Sequence, residues 1–313
     1  MGILLAHVEV HTAGDPMSTR KWLNCRLQDL QDHLVALGHP VSLPVISRLL
    51  KRRDYRLRVN RKTVEGKPHP ERNRQFEYIQ TERAWHEKAA QPCLSIDTKK
   101  KELVGNFKNA GRIWCQQALN VNSHDFPQDA HGRAVSYGIY DLHYNAATVY
   151  VGHSADTPTF AVDNLAHWCQ HELPQRFPGA THLLLEADGG GANASRSRVF
   201  KQQLQALIAD VFHLTVTVCH YPPGTSKWNP IEHRVFSEIS KTWQGCPLHS
   251  FDVLLDLLRQ TKTHTGLTVQ AHRVTQLYKT GVKVAKTVMD ALNIQLHEVC
   301  PQWNSTLYPR ALP

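Results

Sequence analysis

Leu23, Leu27, Leu30, Leu34 and Leu37 recur at alternating intervals of four and three residues, which lines five leucines along one helix face. Gly38 stands just past the last of them, where a left-handed residue closes a helix. After the turn at residues 38–41, Ser42 is placed to cap a second helix; Pro44 falls in its tolerant first turn, and Ile46, Leu49 and Leu50 face inward. Two helices joined by a short glycine-containing turn predict a helix-turn-helix or an ordinary helical hairpin. Residues 55–59 alternate apolar and basic and predict a wing strand. Residues 61–70, with Gly66, Pro68 and Pro70, read as a linker, and a third helix runs from Glu71 to near Ala90, before Pro92.

Beyond Pro92 the period changes to two. Short strands are expected at 93–96, 135–141, 148–152, 182–186 and 214–219, and helices at 160–172, 197–211 and 229–243. The second and third strands form a hairpin around Tyr144-Asn145. Three strands in a row followed by alternation predict an α/β fold with a mixed sheet and flanking helices. The organisation expected is a helix-turn-helix domain at 1–60, a basic linker and connecting helix at 61–92, a catalytic domain at 93–245 and a C-terminal extension at 246–313. That extension offers one helix candidate at 251–261 and no chemistry; packing against the catalytic domain or a second protomer is its expected use.

Composition makes this a folded chain: 313 residues with 41% hydrophobic content suffice for a packed core. No window approaches the roughly 18 apolar residues of a membrane span, and His7 and Glu9 interrupt the start too soon for a signal peptide, so a cytoplasmic, nucleoid-associated protein is expected. Seven scattered cysteines, none in a C-x-x-C pair, argue against a disulfide framework and a zinc ribbon. Lys and Arg outnumber Asp and Glu 36 to 27, and nearly all of the +9 excess is local. Residues 48–74 hold eleven basic side chains against three acids. A polyanion such as DNA is the partner this implies, the alternative being a solvated, flexible charge run. The second helix would present Ser47, Arg48, Lys51 and Arg52 to a major groove, followed by Arg56, Arg58, Arg61 and Lys62.

Two of the strands end in acids, Asp97 and Asp188, where open α/β sheets collect ligands. A third acid, Glu232, follows the rigid stretch from Tyr221 to Pro230 and opens a helix. Three carboxylates select hard ions, Mg²⁺ or Mn²⁺, and two such ions suit phosphodiester chemistry. The competing reading of Glu232 is a capping box, with Asn229, Pro230 and Glu232 at N-cap, N1 and N3. Lys99, Lys100 and Lys101 follow the first acid and either contact a DNA backbone or form a solvated turn. Gly189-Gly190-Gly191 lacks the P-loop context, so an NTPase is not indicated. Glu186 is either a spare ligand or a supporting residue, Trp228 a base-stacking side chain or loop core. His167, Cys169 and His171 read as ordinary helix residues in preference to metal ligands, and His233 beside Glu232 as a residue to orient a phosphate or carboxylate.

Several blocks in order carry a family resemblance: Ser95-Ile96-Asp97-Thr98-Lys99-Lys100-Lys101-Glu102, Gly138-Ile139-Tyr140-Asp141, Ala187-Asp188-Gly189-Gly190-Gly191, and Pro222 through His233. Together they resemble the Rhodopirellula-type DDE transposases of bacterial insertion sequences, over a region from about Gly14 to near Asn304; Asn229-Pro230-Ile231-Glu232-His233 also resembles the acid-bearing motif of mariner-like transposases. The resemblance implies an RNase H-like catalytic fold, two divalent ions, cutting of DNA, joining of 3′-hydroxyl ends to target DNA and self-association on DNA. It assigns the triad to Asp97, Asp188 and Glu232, 91 and 44 residues apart. Such transposases carry more helical sequence ahead of their Gly-Asp-Pro block, here Gly14-Asp15-Pro16, which implies weak recognition of element ends. The rival expectations are a nuclease that stops at hydrolysis and a catalytically idle DNA-binding protein.

Overall fold

The computed structural model describes residues 2–14, 21–23, 25–58 and 69–311. The chain forms two compact units, Met1–Glu65 and Gly66–Pro313. In the first, helix α1 (Gly2–Val10) precedes a hairpin of β1 (Thr12–Gly14) and β2 (Lys21–Leu23), followed by α2 (Leu27–Ala36) and α3 (Leu43–Lys51). Each helix contributes one i, i+4 pair to a common core: Leu4 and Val8, Leu30 and Leu34, Ile46 and Leu50. Burial of these six side chains supplies about 1.5–3 kcal/mol apiece for the larger ones.

The leucine-lined helix starts later than its spacing predicts, because Leu23 pairs with Thr12 in the hairpin and reaches the same core from a strand. Asp29 then fixes the start of α2, accepting from the Arg26 backbone N–H at 2.8 Å and from its guanidinium at 2.7 Å. Gly38 is left-handed (φ +79°), as the helix end requires. Ser42 is the residue before α3, with Pro44 in the first turn. Residues 55–58 form no strand, so the wing is absent among the described residues; Val59 lies outside them, as do Asp15, Pro16, Arg61, Lys62 and the linker through Pro68.

The second unit is built on one eight-stranded sheet in the order β8-β5-β4-β3-β6-β7-β10-β9. Its strands are β3 (Cys93–Val104), β4 (Gly132–Asp141), β5 (Ala146–Gly152), β6 (His182–Ala187), β7 (Thr215–His220), β8 (Thr268–Arg273), β9 (Ile294–Leu296) and β10 (Asn304–Leu307). β3, β4 and β5 run antiparallel in succession, whereas β6 and β7 add parallel on the other side of β3. This is the mixed, RNase H-like arrangement expected from the sequence. Asn145 takes the left-handed position (φ +50°) in the tight β4–β5 turn.

Alternation along the strands sorts side chains between two faces. Leu94, Ile96, Leu183 and Leu185 pack under α5 (Pro158–His171) and α7 (Arg198–Leu204), whose Phe160, Trp168, Phe200 and Leu204 complete that core. Between these lie α6 (Leu173–Arg176) and, after a π turn at Gln205–Ala209, α8 (Asp210–Phe212). On the opposite face, α9 (Ser237–Thr242) and α10 (Phe251–Gln260) pack Ile239, Leu254 and Leu258 over Tyr140, Val149 and Val151.

Two expected boundaries change. Helix α4 (Arg72–Lys88) packs Ile79 against Cys93, Leu184 and Cys219. Its buried Gln75 donates to His220 O at 2.9 Å and to Asn304 Oδ1 at 2.7 Å. It is therefore a layer of the second unit and not a connector. Residues 246–313 supply β8 beside β5 and β10 beside β7, covering both edges of the five central strands, together with α11 (Lys286–Asp290). Their sequences, such as Thr-Val-Gln-Ala-His-Arg, carry too little apolar alternation to mark them as strands. Among the described residues no helix is long and apolar enough to cross a membrane.

Candidate active site

β3 is longer than the four-residue strand expected, so Asp97 lies within it and not at its end. The strand continues because β4 pairs with it as far as Val104, with an irregularity between Lys99 and Glu102. β6 stops earlier. Its last pair with β3 is Ala187 with Ile96, which sets Asp188 beside Asp97 where the parallel pairing ends. Past that point one side of β3 has no neighbouring strand, and the lysine-rich stretch tolerates its solvent-facing edge.

Glu232 reaches the same place from the helical segment after β7. Across from Asp97 in register is Gly138 on β4. A Cβ at Gly138 would stand 2.7 Å from Ile231 Cδ1 and 2.8 Å from the Phe236 ring. The missing side chain is what lets the Glu232 segment lie down on the sheet.

Hydrogen bonds tie that segment to β3. Ser95 Oγ donates to Asn229 Oδ1 at 2.5 Å and accepts from the Ile231 N–H at 3.0 Å, while Asn229 Nδ2 donates to Ile96 O at 3.2 Å. Ser95 and Asn229 are both fully buried. Asn229 thus spends both ends of its amide on β3, and Ser95 supplies the N-terminal cap, so the capping-box reading of Glu232 does not describe this turn. Instead Glu232 lies near enough to Asp97 and Asp188 for its charge to raise both carboxyls. It opens a π turn (Glu232–Phe236), the wider helical turn that often marks functional positions.

The electrostatics follow from this convergence. Burial pushes the Asp97 carboxyl up to about 9, reinforced by the charges of Asp188 and Glu232, against the Thr98 N–H that donates to Asp97 Oδ1 at 2.7 Å. Asp188 is also raised, by burial first; the Gly190 N–H opposes this, while Glu232 and Asp156 add to it. Asp156 is a fourth acid that the sequence reading passed over. Thr98 Oγ1 donates to its Oδ1 at 3.0 Å, and Lys101 lies 3.7 Å from it. It sits in the loop before α5, next to the N-cap Thr157, where no spacing rule marks it.

Among the described residues no group of three or more His, Cys, Asp or Glu side chains is arranged as a ready metal cage. The donor chemistry still fits hard divalent cations: every group is a carboxyl, and Asp97 and Asp188 are raised by burial and by acidic neighbours whose repulsion a cation would relieve.

The remaining candidates divide. Lys99 is buried, its ammonium 3.0 Å from Glu102 and 4.4 Å from the Trp243 ring, so it is withdrawn from any DNA contact; Lys100 is exposed. Arg48, Lys51, Arg52, Arg56 and Arg58 are all exposed, as the basic face requires. Glu186 is wholly buried, with Arg83 Nη2 at 2.5 Å and Tyr221 Oη at 2.7 Å, which makes it a structural ion pair and not a spare ligand. His167 accepts or donates at Tyr150 Oη (3.0 Å), His171 bonds back to His167 O, and Cys169 is buried in the core. Trp228 is half exposed, its ring 6.1 Å from Phe76.

A family model described as the Rhodopirellula transposase DDE domain matches residues 4–309. No curated protein matches the chain. Among solved structures, the Mos1 transposase paired-end complex with left transposon end is 11% identical, with a TM-score of 0.44, covering 82% of this chain and 69% of that one. The mariner Mos1 paired end complex with Mg gives 11% identity and a TM-score of 0.46 over 82% of this chain and 68% of that one.

Proposed function

The chain belongs to the Rhodopirellula DDE transposase family, and from that premise we propose that Asp97, Asp188 and Glu232 are its catalytic triad, cutting DNA and joining the freed 3′-hydroxyls to target DNA. The observation that carries this reading is the meeting of three carboxyls from β3, the end of β6 and the helix after β7, close enough to perturb one another. Two divalent ions, Mg²⁺ or Mn²⁺, bound by these acids would polarise the scissile phosphate and activate the attacking hydroxyl. Asp97, raised by the charges of both other acids, would hold the ions together with Asp188 and Glu232.

The protein's own contribution is placement. Ser95 and Asn229 hold the Glu232 turn against β3, and Gly138 permits the approach. Burial and acidic neighbours hold Asp97 and Asp188 above the usual carboxylate range, so binding of a cation there would be coupled to proton release. No side-chain nucleophile is required; orientation and electrostatics carry the chemistry. DNA is held by Arg48, Lys51, Arg52, Arg56, Arg58, Arg61 and Lys62 of the first unit and by Lys100 of the second, and two copies assemble on paired element ends at the nucleoid.

The test is Asp188→Asn assayed on end-containing DNA with Mg²⁺. Loss of cutting with DNA binding retained is expected, and retained cutting overturns the triad. Covalent donor–target product separates transposition from simple hydrolysis, and salt-dependent binding by the unaltered chain with no cleavage in Mg²⁺ or Mn²⁺ identifies an idle DNA-binding protein.

A further inference from the structure

Next to the Glu232 turn, on the face of the sheet that carries α9, an open groove encloses about 780 Å³. Its floor includes the buried Tyr140 and Leu267; one wall is the helical segment bearing His233, Arg234 and Lys241, and the other is the turn at residues 262–265. We propose that this groove is a second DNA track, holding the sugar-phosphate backbone of a strand on its way to or from the three acids. The proposal rests on the transposase reading of the site.

Three features select a polyanion. Arg234, Lys241 and Lys262 line the groove against one acid, Glu238, and that acid is engaged by Lys241 at 2.6 Å. Arg234 and Lys262 are both exposed, and among the described residues neither is ion-paired, so two full charges face the groove from opposite walls. The turn that bears Lys262 also presents exposed His264 and a Thr263–Thr265 hydroxyl pair bonded to each other at 2.7 Å, side chains of the kind that fix a phosphate in register. An apolar floor with charged walls suits a nucleic-acid strand, whose sugars and base edges are less polar than its phosphates.

Continuity with the chemistry argues for DNA over a small anion. Arg234 is two residues beyond Glu232 on the same π turn, so one short segment carries both a groove wall and one of the three acids. The groove is also partly open to solvent, unlike a pocket that encloses one small ligand.

The experiment is a salt titration of binding to a duplex carrying an element end, comparing the full chain with the Arg234→Gln/Lys262→Gln variant and with Lys283→Gln/Lys286→Gln, which removes equal charge from exposed positions outside the groove. Each phosphate contact contributes about 0.9 to the slope of log affinity against log salt, so losing two lowers the slope by about 1.8. That drop in the groove variant, with no change in the control pair and an unchanged melting temperature, is expected. An unchanged slope in the groove variant overturns the proposal, as does an equal drop in both variants. If the unaltered chain itself shows no salt-dependent DNA binding, the transposase reading fails together with the groove.

Discussion

Asp97→Asn provides a test of the acid cluster that does not depend on catalysis. The Asp97 carboxyl stands near 9 in the fold, held there by burial and by its acidic neighbours, whereas in an unfolded chain it titrates near 3.9. The folded state therefore binds this proton more tightly. Stability from the group is complete below about pH 4 and is lost as pH rises towards about 9. Within that window one such group contributes a slope of about 1.4 kcal/mol per pH unit, or about 4 kcal/mol between pH 5 and pH 8. Asparagine cannot titrate, so the variant should gain on the unaltered chain by up to that amount as pH rises, in buffer containing a chelator. Thermal unfolding at 1-unit pH intervals reads this directly, because about 1 kcal/mol moves the melting temperature of a domain this size by roughly 2–4 °C. Comparing the two chains cancels the buried His220, whose lowered pKa gives a pH dependence of opposite sign in both. Mg²⁺ should flatten the slope of the unaltered chain. A difference between the two chains that stays constant from pH 5 to pH 8 refutes the argument.

Three other outcomes are expected. Ser95→Ala strands Asn229 Oδ1 and the Ile231 N–H inside a dry site, costing about 1–3 kcal/mol and lowering single-turnover cleavage well beyond its effect on DNA affinity; cleavage at the unaltered rate would show that the Glu232 turn holds its place without the tie. Arg83→Ala removes the cation from a fully buried Glu186 and leaves it only the Tyr221 and Cys93 donors, an expected loss of about 3–5 kcal/mol in urea unfolding, with Glu186→Gln in the same chain recovering part of it; no recovery would mean that Arg83 acts through packing. Lys99→Met should leave DNA affinity unaltered, because the ammonium is already spent on Glu102 and Trp243, while Lys100→Gln should weaken binding in a salt-dependent way; equal losses from both would show that Lys99 turns outward on DNA.

What could be read in advance follows from where the signal is local. The helix spacing, the left-handed Gly38, the start of α3 after Ser42 and the central strands rest on short-range rules, and the structure contains them, although the Ser42 side chain makes no capping hydrogen bond. The leucine spacing ran on through Leu23 because a strand can bring a side chain to the same core as a helix face. Asp97 was placed at a strand end because three lysines look like a turn; their tolerance within β3 depends on the neighbouring β6 stopping at Ala187, a fact about another part of the chain. Strands β8 and β10 were missed for a related reason: their partners supply the burial that their own sequences do not advertise. Asp156 and the Ser95–Asn229 tie are long-range contacts, across 58 and 134 residues, and nothing in local pattern reports them.

The placing of β8 and β10 also sets an order in time. Both edges of the central sheet are covered by chain that is translated after the strands it covers, β10 ending at Leu307. The unit Met1–Glu65 has its own core and is synthesised before that sheet. At about 5–20 residues per second, the following 248 residues take roughly 10–50 s to emerge. During that interval a nascent chain already displays its basic helix while the three-acid site has no finished sheet to stand on. On the proposed function, the order of the units acts as a delay, in which attachment to DNA precedes the ability to break it.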